Sequence, residues 1–205
     1  IDSPANGMKI TSKQLDVSGW ALNPAGIKEV KVYVNNTEMT TVSTGLPRQD
    51  VANVYPSYGD SKSGYRATIN INAIKAGNNT ITVKQFGNDG TVDSVSTTIN
   101  ISKKSSVTVI DVPSSDMVVN DNSIRVSGWA LNDSGVKQVN VYIDNVKVGS
   151  PAINISRADV ISAYPGYQTS SVCGFAINVD LSKLSKGQHK VVLEAVGYDG
   201  RVNRA

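Results

Sequence analysis

The chain has 205 residues, of which 40% are hydrophobic and 18% charged, and its formal net charge is +3. This balance is ordinary for a globular protein, so the composition argues against wholesale disorder. Basic residues are scattered among acids rather than gathered in a stripe, so we expect no nucleic-acid partner. No apolar run reaches the roughly 18 residues of a membrane-spanning helix, so we expect no membrane insertion.

An internal repeat organises the chain. The segment Val17–Asn23, with the sequence Val-Ser-Gly-Trp-Ala-Leu-Asn, recurs unchanged at 126–132, an offset of 109 residues. One extra residue later shifts the offset to 110, so that Gly64-Tyr65 aligns with Gly174-Phe175. A register held over the whole copy predicts two domains, 1–104 and 105–205, joined by the polar residues near 102–106.

The two copies differ at their ends. Copy one contains an alternating segment, Val95–Ile101, that maps beyond the last residue of copy two. Copy two is preceded by Val107–Val109, which has no equivalent ahead of Ile1. We therefore expect copy two to lack its final strand, and the chain to be cut from a longer array or a larger protein.

Alternation of apolar and polar residues with a period of two predicts the strands of each copy. In copy one these segments are 30–34, 65–71 and 81–83, and in copy two they are 139–143, 175–181 and 191–195. Asp89-Gly90 and Asp199-Gly200 follow such segments and are typical hairpin turns. About seven short strands per roughly 100 residues predict an all-β fold, with an immunoglobulin-like β-sandwich in each copy.

One segment per copy predicts a short helix instead. Arg48–Tyr55 and Arg157–Tyr164 each fit one or two helical turns, and a proline directly follows each of them. Ser156 and Asp159 have the spacing of a capping box, whereas Pro47 replaces that serine in copy one.

The motifs of the two copies resemble a known family. Each copy carries Ser-Gly-Trp-Ala-Leu-Asn, then Gly-(Ile/Val)-Lys-x-Val-x-Val-Tyr, then Arg-x-Asp-Val-x-x-x-Tyr-Pro-x-Tyr, and finally x-Asp-Gly. Together they resemble the bacterial immunoglobulin-like domains that occur in tandem in clostridial-type secreted cell-wall hydrolases and surface proteins. The resemblance implies a non-catalytic accessory or spacer module, secreted and located at the cell wall. Neighbouring domains of a longer parent chain would then carry any catalysis, such as peptidoglycan hydrolysis.

The residues offer little chemistry of their own. His189 is the single histidine and aligns with Asn79, while Cys173 is the single cysteine and aligns with Ser63. One histidine and one cysteine cannot supply the usual ligand set of a zinc site. We expect no catalytic residue, no metal site and no cofactor, and we interpret Cys173 as a small packing residue.

The candidate binding residues form one aromatic and polar cluster in each copy. They are Trp20, Arg48, Asp50, Tyr55 and Tyr58 in copy one, and Trp129, Arg157, Asp159, Tyr164 and Tyr167 in copy two. Strict alternation places each tryptophan outside the sandwich core, although a β-bulge at Gly19 would turn Trp20 inward.

Two interpretations of this cluster remain open. In one, the helical segment folds over the tryptophan and makes a second small core. In the other, the aromatic rings stack on a cell-wall glycan or contact a host or surface ligand, with the Arg-x-Asp pair as a polar clamp. The sequence favours the first, because a tryptophan left open to solvent exposes a large apolar area.

Overall fold

The computed structural model describes residues 1–167 and 170–205. It divides into two compact units, Ile1–Ser102 and Lys103–Ala205, which are called unit 1 and unit 2 below. Each unit is built from β-strands with a single short α-helix among its described residues. The predicted all-β class, with two tandem immunoglobulin-like sandwiches, is confirmed.

Unit 1 is a sandwich of a five-stranded and a two-stranded sheet. Its strands are β1 (Met8–Ile10), β2 (Gln14–Trp20), β3 (Ile27–Val34), β4 (Thr37–Val42), β5 (Gly64–Asn70), β6 (Gly77–Gly87) and β7 (Val92–Ile101). The larger sheet has the order β1-β7-β6-β3-β4, and β2 pairs with β5 in the smaller one. Strand β1 runs parallel to β7, while the other pairs are antiparallel.

Unit 2 is a sandwich of two four-stranded sheets. Its strands are β8 (Val107–Val112), β9 (Ser123–Leu131), β10 (Val136–Ile143), β11 (Val146–Gly149), β12 (Ile153–Ser156), β13 (Val172–Asp180), β14 (Val191–Gly197) and β15 (Val202–Arg204). The sheet orders are β11-β10-β14-β15 and β12-β13-β9-β8. The last strand, β15, has three residues, whereas its counterpart β7 has ten.

The core of each unit follows from the predicted alternation. In β3, Val30, Val32 and Val34 are buried, and the residues between them are half-buried. Side chains of alternate residues point to the same face of a sheet, so the apolar face of β3 meets that of β2, where Leu15 and Val17 are buried. Unit 2 repeats this arrangement with the matching residues of β10 and β9.

Turns between strands use residues that tolerate a left-handed backbone. Asn35 and Asn36, which join β3 to β4, have φ of 48° and 68°, and Asp144 and Asn145 have 49° and 68°. Two positive φ values define the type I′ turn that matches the twist of a hairpin, and Asn and Asp adopt them at low cost.

The predicted helices are confirmed, but the predicted cap is wrong. Helix α1 spans Gln49–Val54 and is followed by a 3-10 turn at Pro56–Tyr58, and α2 spans Ala158–Ala163. Arg157 occupies the N-cap of α2 without a capping side-chain hydrogen bond. Ser156 does not cap the helix because it belongs to β12, where the chain is still extended. Its hydroxyl instead lies 2.7 Å from the Ser171 hydroxyl.

Candidate functional site

The backbone of β2 places Trp20 outside the sandwich core. Its pairing with β5 runs without a register shift as far as Gly19↔Tyr65 and Trp20↔Gly64, so strict alternation holds and the alternative of a bulge at Gly19 is wrong. Gly19 itself is required here, because a Cβ at this position would lie 2.6 Å from the Tyr65 hydroxyl oxygen.

In unit 2 the tryptophan is part of a second small core. Trp129 is 7% exposed and packs with four other buried residues, apart from the main core of the unit. These residues are Leu131, Val160, Tyr167 and Cys173, with Val107, Val109 and Ile161 packed against them. The predicted covered tryptophan is therefore confirmed for Trp129, and so is the packing role of Cys173. Burial of that thiol raises its pKa.

In unit 1 the matching cluster is more open. Trp20 is half-buried, and its ring centroid lies 5.5 Å from that of Tyr55. Tyr55 and Tyr58 are 42% and 39% exposed, and their rings are nearly perpendicular, at 87° with centroids 6.4 Å apart. The prediction of a largely buried tryptophan thus holds only in part for Trp20.

The same ring arrangement occurs in unit 2. The ring centroids of Trp129 and Tyr164 are 5.3 Å apart, and those of Tyr164 and Tyr167 are 6.4 Å apart at 76°. The structure therefore brings the three aromatic candidates of each copy together. Because neighbouring rings are tilted or perpendicular, they pack edge to face and do not form one flat surface.

The arginine of each cluster is engaged within its own unit. Arg48 donates from Nε and Nη2 to the two carboxylate oxygens of Asp50, at 2.9 and 2.7 Å, and from Nη1 to Asp2 at 2.5 Å. The hydrogen bonds from Arg48 lower the pKa of Asp50 to about 2. A bidentate guanidinium–carboxylate pair of this kind fixes geometry, here tying the start of α1 to the N-terminal segment.

Arg157 repeats this pattern in unit 2. It donates from Nε and Nη2 to Asp159, at 3.0 and 2.8 Å, and from Nη1 to Asp111 at 2.5 Å. Sequence reasoning missed Asp2 and Asp111 as partners. The signal was present, because both acids lie in an Ile-Asp-x-Pro motif that the repeat preserves.

Lys103 and Lys104, which belong to the polar link between the two sequence copies, make contacts within unit 2. Lys103 Nζ lies 3.1 Å from an Asp199 carboxylate oxygen, with the two side chains 6% and 0% exposed. Lys104 Nζ donates to the Pro165 carbonyl and lies 5.2 Å from the Tyr167 ring centroid. Sequence reasoning described this stretch as a polar link because its composition gives no sign of burial.

The described part of the chain contains no group of three or more His, Cys, Asp or Glu side chains placed to hold a metal ion. No described helix is long and apolar enough to cross a membrane.

The comparisons with known proteins decide the family. The model of the bacterial Ig domain matches residues 1–83 and again residues 106–192. The chain belongs to the bacterial Ig domain family. The two matches confirm the resemblance seen in the motifs of both copies, and such domains are typically non-catalytic accessory modules.

Solved structures similar to this pair of bacterial Ig domains are distant in sequence. The fibronectin(III)-like modules of Clostridium thermocellum CbhA are 15% identical, with all of this chain and 88% of that one covered, at a TM-score of 0.36. The tetra-tandem repeat in the extending region of a large adhesion protein is 13% identical, with 95% and 45% covered, at 0.43.

A third similar structure comes from a glucan utilization locus. Bacteroides ovatus SGBP-B in complex with a mixed-linkage heptasaccharide is 15% identical, with 97% and 40% covered, at a TM-score of 0.29. The chain thus spans less than half of this structure and of the adhesion repeat. No curated protein matches the chain.

Proposed function

We propose that this pair of bacterial Ig domains is a non-catalytic accessory or spacer module of a secreted bacterial cell-surface or cell-wall protein. Its partners are then the neighbouring domains of the parent chain, which it holds at a distance from the wall. The observation that carries the proposal is that three of the candidate binding residues, Arg48, Arg157 and Trp129, are engaged within their own unit.

The contacts of those residues support this assignment. The guanidinium groups of Arg48 and Arg157 each bind two carboxylates of their own unit. Trp129 is buried in a packed cluster. A binding site needs side chains with free hydrogen-bond donors or exposed faces. The donors of Arg48 and Arg157 and the ring of Trp129 are already engaged in contacts within the fold.

A second candidate function is binding of a carbohydrate or of peptidoglycan by the aromatic cluster. The observation that favours it is the exposure of Tyr55 and Tyr58 beside a half-buried Trp20 in unit 1. An exposed aromatic face is the usual contact for a sugar ring. In this case unit 1, rather than unit 2, holds the site.

Co-sedimentation of the full chain with purified peptidoglycan sacculi, together with a glycan array, separates the two functions. A spacer leaves the protein in the supernatant at all concentrations of sacculi. Saturable binding that Tyr55→Ala abolishes, while Tyr198→Ala leaves it intact, would establish the carbohydrate site instead. Tyr198 is a suitable control because it is 59% exposed and lies outside the cluster.

The absence of hydrolytic activity is a separate expectation. The direct measurement is the release of reducing ends after the chain is incubated with peptidoglycan. Turnover that disappears on His189→Ala would overturn the non-catalytic assignment.

A further inference from the structure

Unit 1 holds strands β1 and β7 side by side in parallel. Met8 lies opposite Ile99 and Ile10 lies opposite Ile101. The other strand pairs of the unit are antiparallel. Because parallel strands run the same way, the chain enters β1 at one end of the pair and leaves β7 at the opposite end.

This arrangement decides how unit 1 carries tension. When the chain is pulled ahead of β1 and behind β7, the two strands are drawn past each other along their own axes. The evenly spaced hydrogen bonds of a parallel pair are then loaded together, in shear. Strands that are pulled apart from a shared end instead lose their bonds one after another. The β1–β7 pair therefore resists a pull along the chain better than a pull that peels the strands apart.

Further contacts strengthen both ends of the β1–β7 pair. At its first end, the Gly7 N–H donates to the Thr98 carbonyl at 2.8 Å. The Asn6 side chain extends the pairing, because its Oδ1 accepts from the Thr98 N–H at 3.2 Å and from the Thr98 hydroxyl at 2.6 Å. At the other end, the Ser102 N–H donates to the Ile10 carbonyl at 2.8 Å. The contact is thus longer than the three residues of β1.

Rupture of the β1–β7 pair opens the core of unit 1. Ile10, Ile99 and Ile101 are 5%, 1% and 2% exposed and belong to the same core cluster. Separation of the strands removes the Ile10 side chain from this cluster and brings water to apolar side chains, which is unfavourable. Unfolding under tension depends on the barrier to such a rupture rather than on equilibrium stability.

We propose that the β1–β7 pair is a force-bearing contact that lets unit 1 stay folded under tension along the chain. The use of such a contact rests on the proposed spacer function, because a spacer transmits the tension between the domains that it joins. The resistance depends on direction: the pair is strong in shear and weak when it is peeled.

Single-molecule force spectroscopy of the full chain tests this by moving one handle. With handles at Ile1 and Ala205, the β1–β7 pair is loaded in shear. In the second geometry the first handle is attached at Thr11→Cys, an exposed position directly behind β1. The pair is then peeled from the end that Ile10 and Ser102 share.

Two features of the chain make the comparison clean. Cys173→Ser, used in both geometries, leaves the cysteine at position 11 as the single thiol, and serine is the residue that unit 1 has at the matched position. Unit 2 is an internal reference, because its loading does not change. The unit 1 event is recognised by its length, since moving the handle removes ten residues, roughly 3.5 Å each, from the stretch that unfolds.

The force that unfolds unit 1 should fall about twofold or more when the handle moves to position 11, because shear loads at least two backbone hydrogen bonds together and peeling loads one. The unit 2 force should stay the same. Asn6→Ala should lower the unit 1 force in shear and leave it unchanged in peeling, where rupture begins at the far end of the pair. Asn53→Ala, on α1, is the matched control and should change neither force.

Equal unit 1 forces in the two geometries would overturn the inference. An Asn6→Ala variant that lowers both forces equally would also overturn it, because a general loss of stability has no direction. Co-sedimentation with sacculi tests the spacer function separately. Equal forces without binding would reject the force-bearing contact and keep the spacer, whereas directional forces with binding would keep the contact and reject the spacer.

Discussion

The imidazole of His189 is held between two hydrogen-bond acceptors. Nδ1 lies 2.6 Å from Asp144 Oδ2, and Nε2 lies 2.9 Å from the Ser185 carbonyl oxygen. Since both partners accept, the ring satisfies both contacts when both of its nitrogens carry a proton. The other carboxylate oxygen of Asp144 accepts from the Lys190 backbone N–H at 2.9 Å, so the pair ties the β10–β11 turn to the chain ahead of β14.

Unit 1 makes the same connection without charge. Asn35 Nδ2 donates to Asn79 Oδ1 at 2.7 Å, and Asn35 Oδ1 accepts from the Thr80 backbone N–H at 3.0 Å. Asn79 Nδ2 donates to the Lys75 carbonyl at 3.0 Å. The two copies therefore contain an ionisable and a non-ionisable version of one contact, which makes each a control for the other.

The stability of unit 2 should fall as the pH rises through the pKa of His189. The hydrogen bond to Asp144 raises that pKa above its ordinary value of 6.5. A group whose pKa is higher in the folded state stabilises fully below its unfolded pKa and loses this contribution as the pH passes its folded pKa. Calorimetry of the full chain from pH 5 to pH 9 should show this loss in one of the two unfolding transitions.

The double variant His189→Asn, Asp144→Asn installs the pair of unit 1 in unit 2. It should remove the pH dependence in this window and leave the unit 1 transition where it was. Because His189 is the single histidine of the chain, no other imidazole can imitate the effect. A double variant with an unchanged pH profile would show that the stability does not depend on this pair.

Tyr65→Phe should stabilise unit 1 by about 1 kcal/mol. Tyr65 is 2% exposed, and no partner for its hydroxyl is found among the described residues. Burial raises the pKa of the Tyr65 hydroxyl to about 12, so this hydroxyl is neutral near pH 7. A buried hydroxyl without a partner costs about 1–3 kcal/mol of desolvation, and the substitution removes that cost without leaving a large cavity. Urea unfolding of the full chain measures the change.

Unit 2 supplies the reciprocal control, because Phe175 occupies the matched position and is fully buried. Phe175→Tyr should destabilise unit 2, since it buries a new hydroxyl in an apolar core. If Tyr65→Phe lowers the stability of unit 1, its hydroxyl has a partner, such as an ordered water, and the prediction is wrong.

The sequence predicted most of the sandwich because the repeat and the alternation are local signals. Seven identical residues fix the register of the copies, and the valines of β3 show by their period which face is buried. Each aromatic cluster could be predicted as a group. Alternation along the strand places Trp20 outside the core, and the helical segment that follows it in the chain was predicted to fold over the ring.

The partners across the fold could not be predicted in the same way. His189 and Asp144 are 45 residues apart, and nothing in either neighbourhood signals the other. The packing of Val107 and Val109 on the Trp129 cluster could not be predicted either, because both valines lie outside the identical residues around each indole.

Trp129→Ala should destabilise unit 2 more than Trp20→Ala destabilises unit 1. Truncation of a buried tryptophan costs about 3–5 kcal/mol, because contacts are lost and a cavity remains. Trp20 is half-buried, so its truncation should cost less, about 2 kcal/mol. Denaturant unfolding of both variants gives the comparison. A stable Trp20→Ala variant that loses binding to peptidoglycan would instead support the carbohydrate function.

Asp199→Asn should destabilise unit 2 far more than Asp89→Asn destabilises unit 1. Burial tends to raise the pKa of Asp199, but hydrogen bonds from Arg201 and Lys103 outweigh it and hold the pKa below its ordinary value. Neutralising this carboxylate leaves the ammonium of Lys103, with a side chain 6% exposed, without its carboxylate charge. Loss of one member of a buried ion pair costs about 3–5 kcal/mol, whereas an exposed carboxylate is exchanged for an amide at little cost. Urea unfolding of the full chain, with Asp89→Asn as the matched variant, measures both changes. Equal effects of the two substitutions would show that Lys103 does not depend on Asp199 for its position.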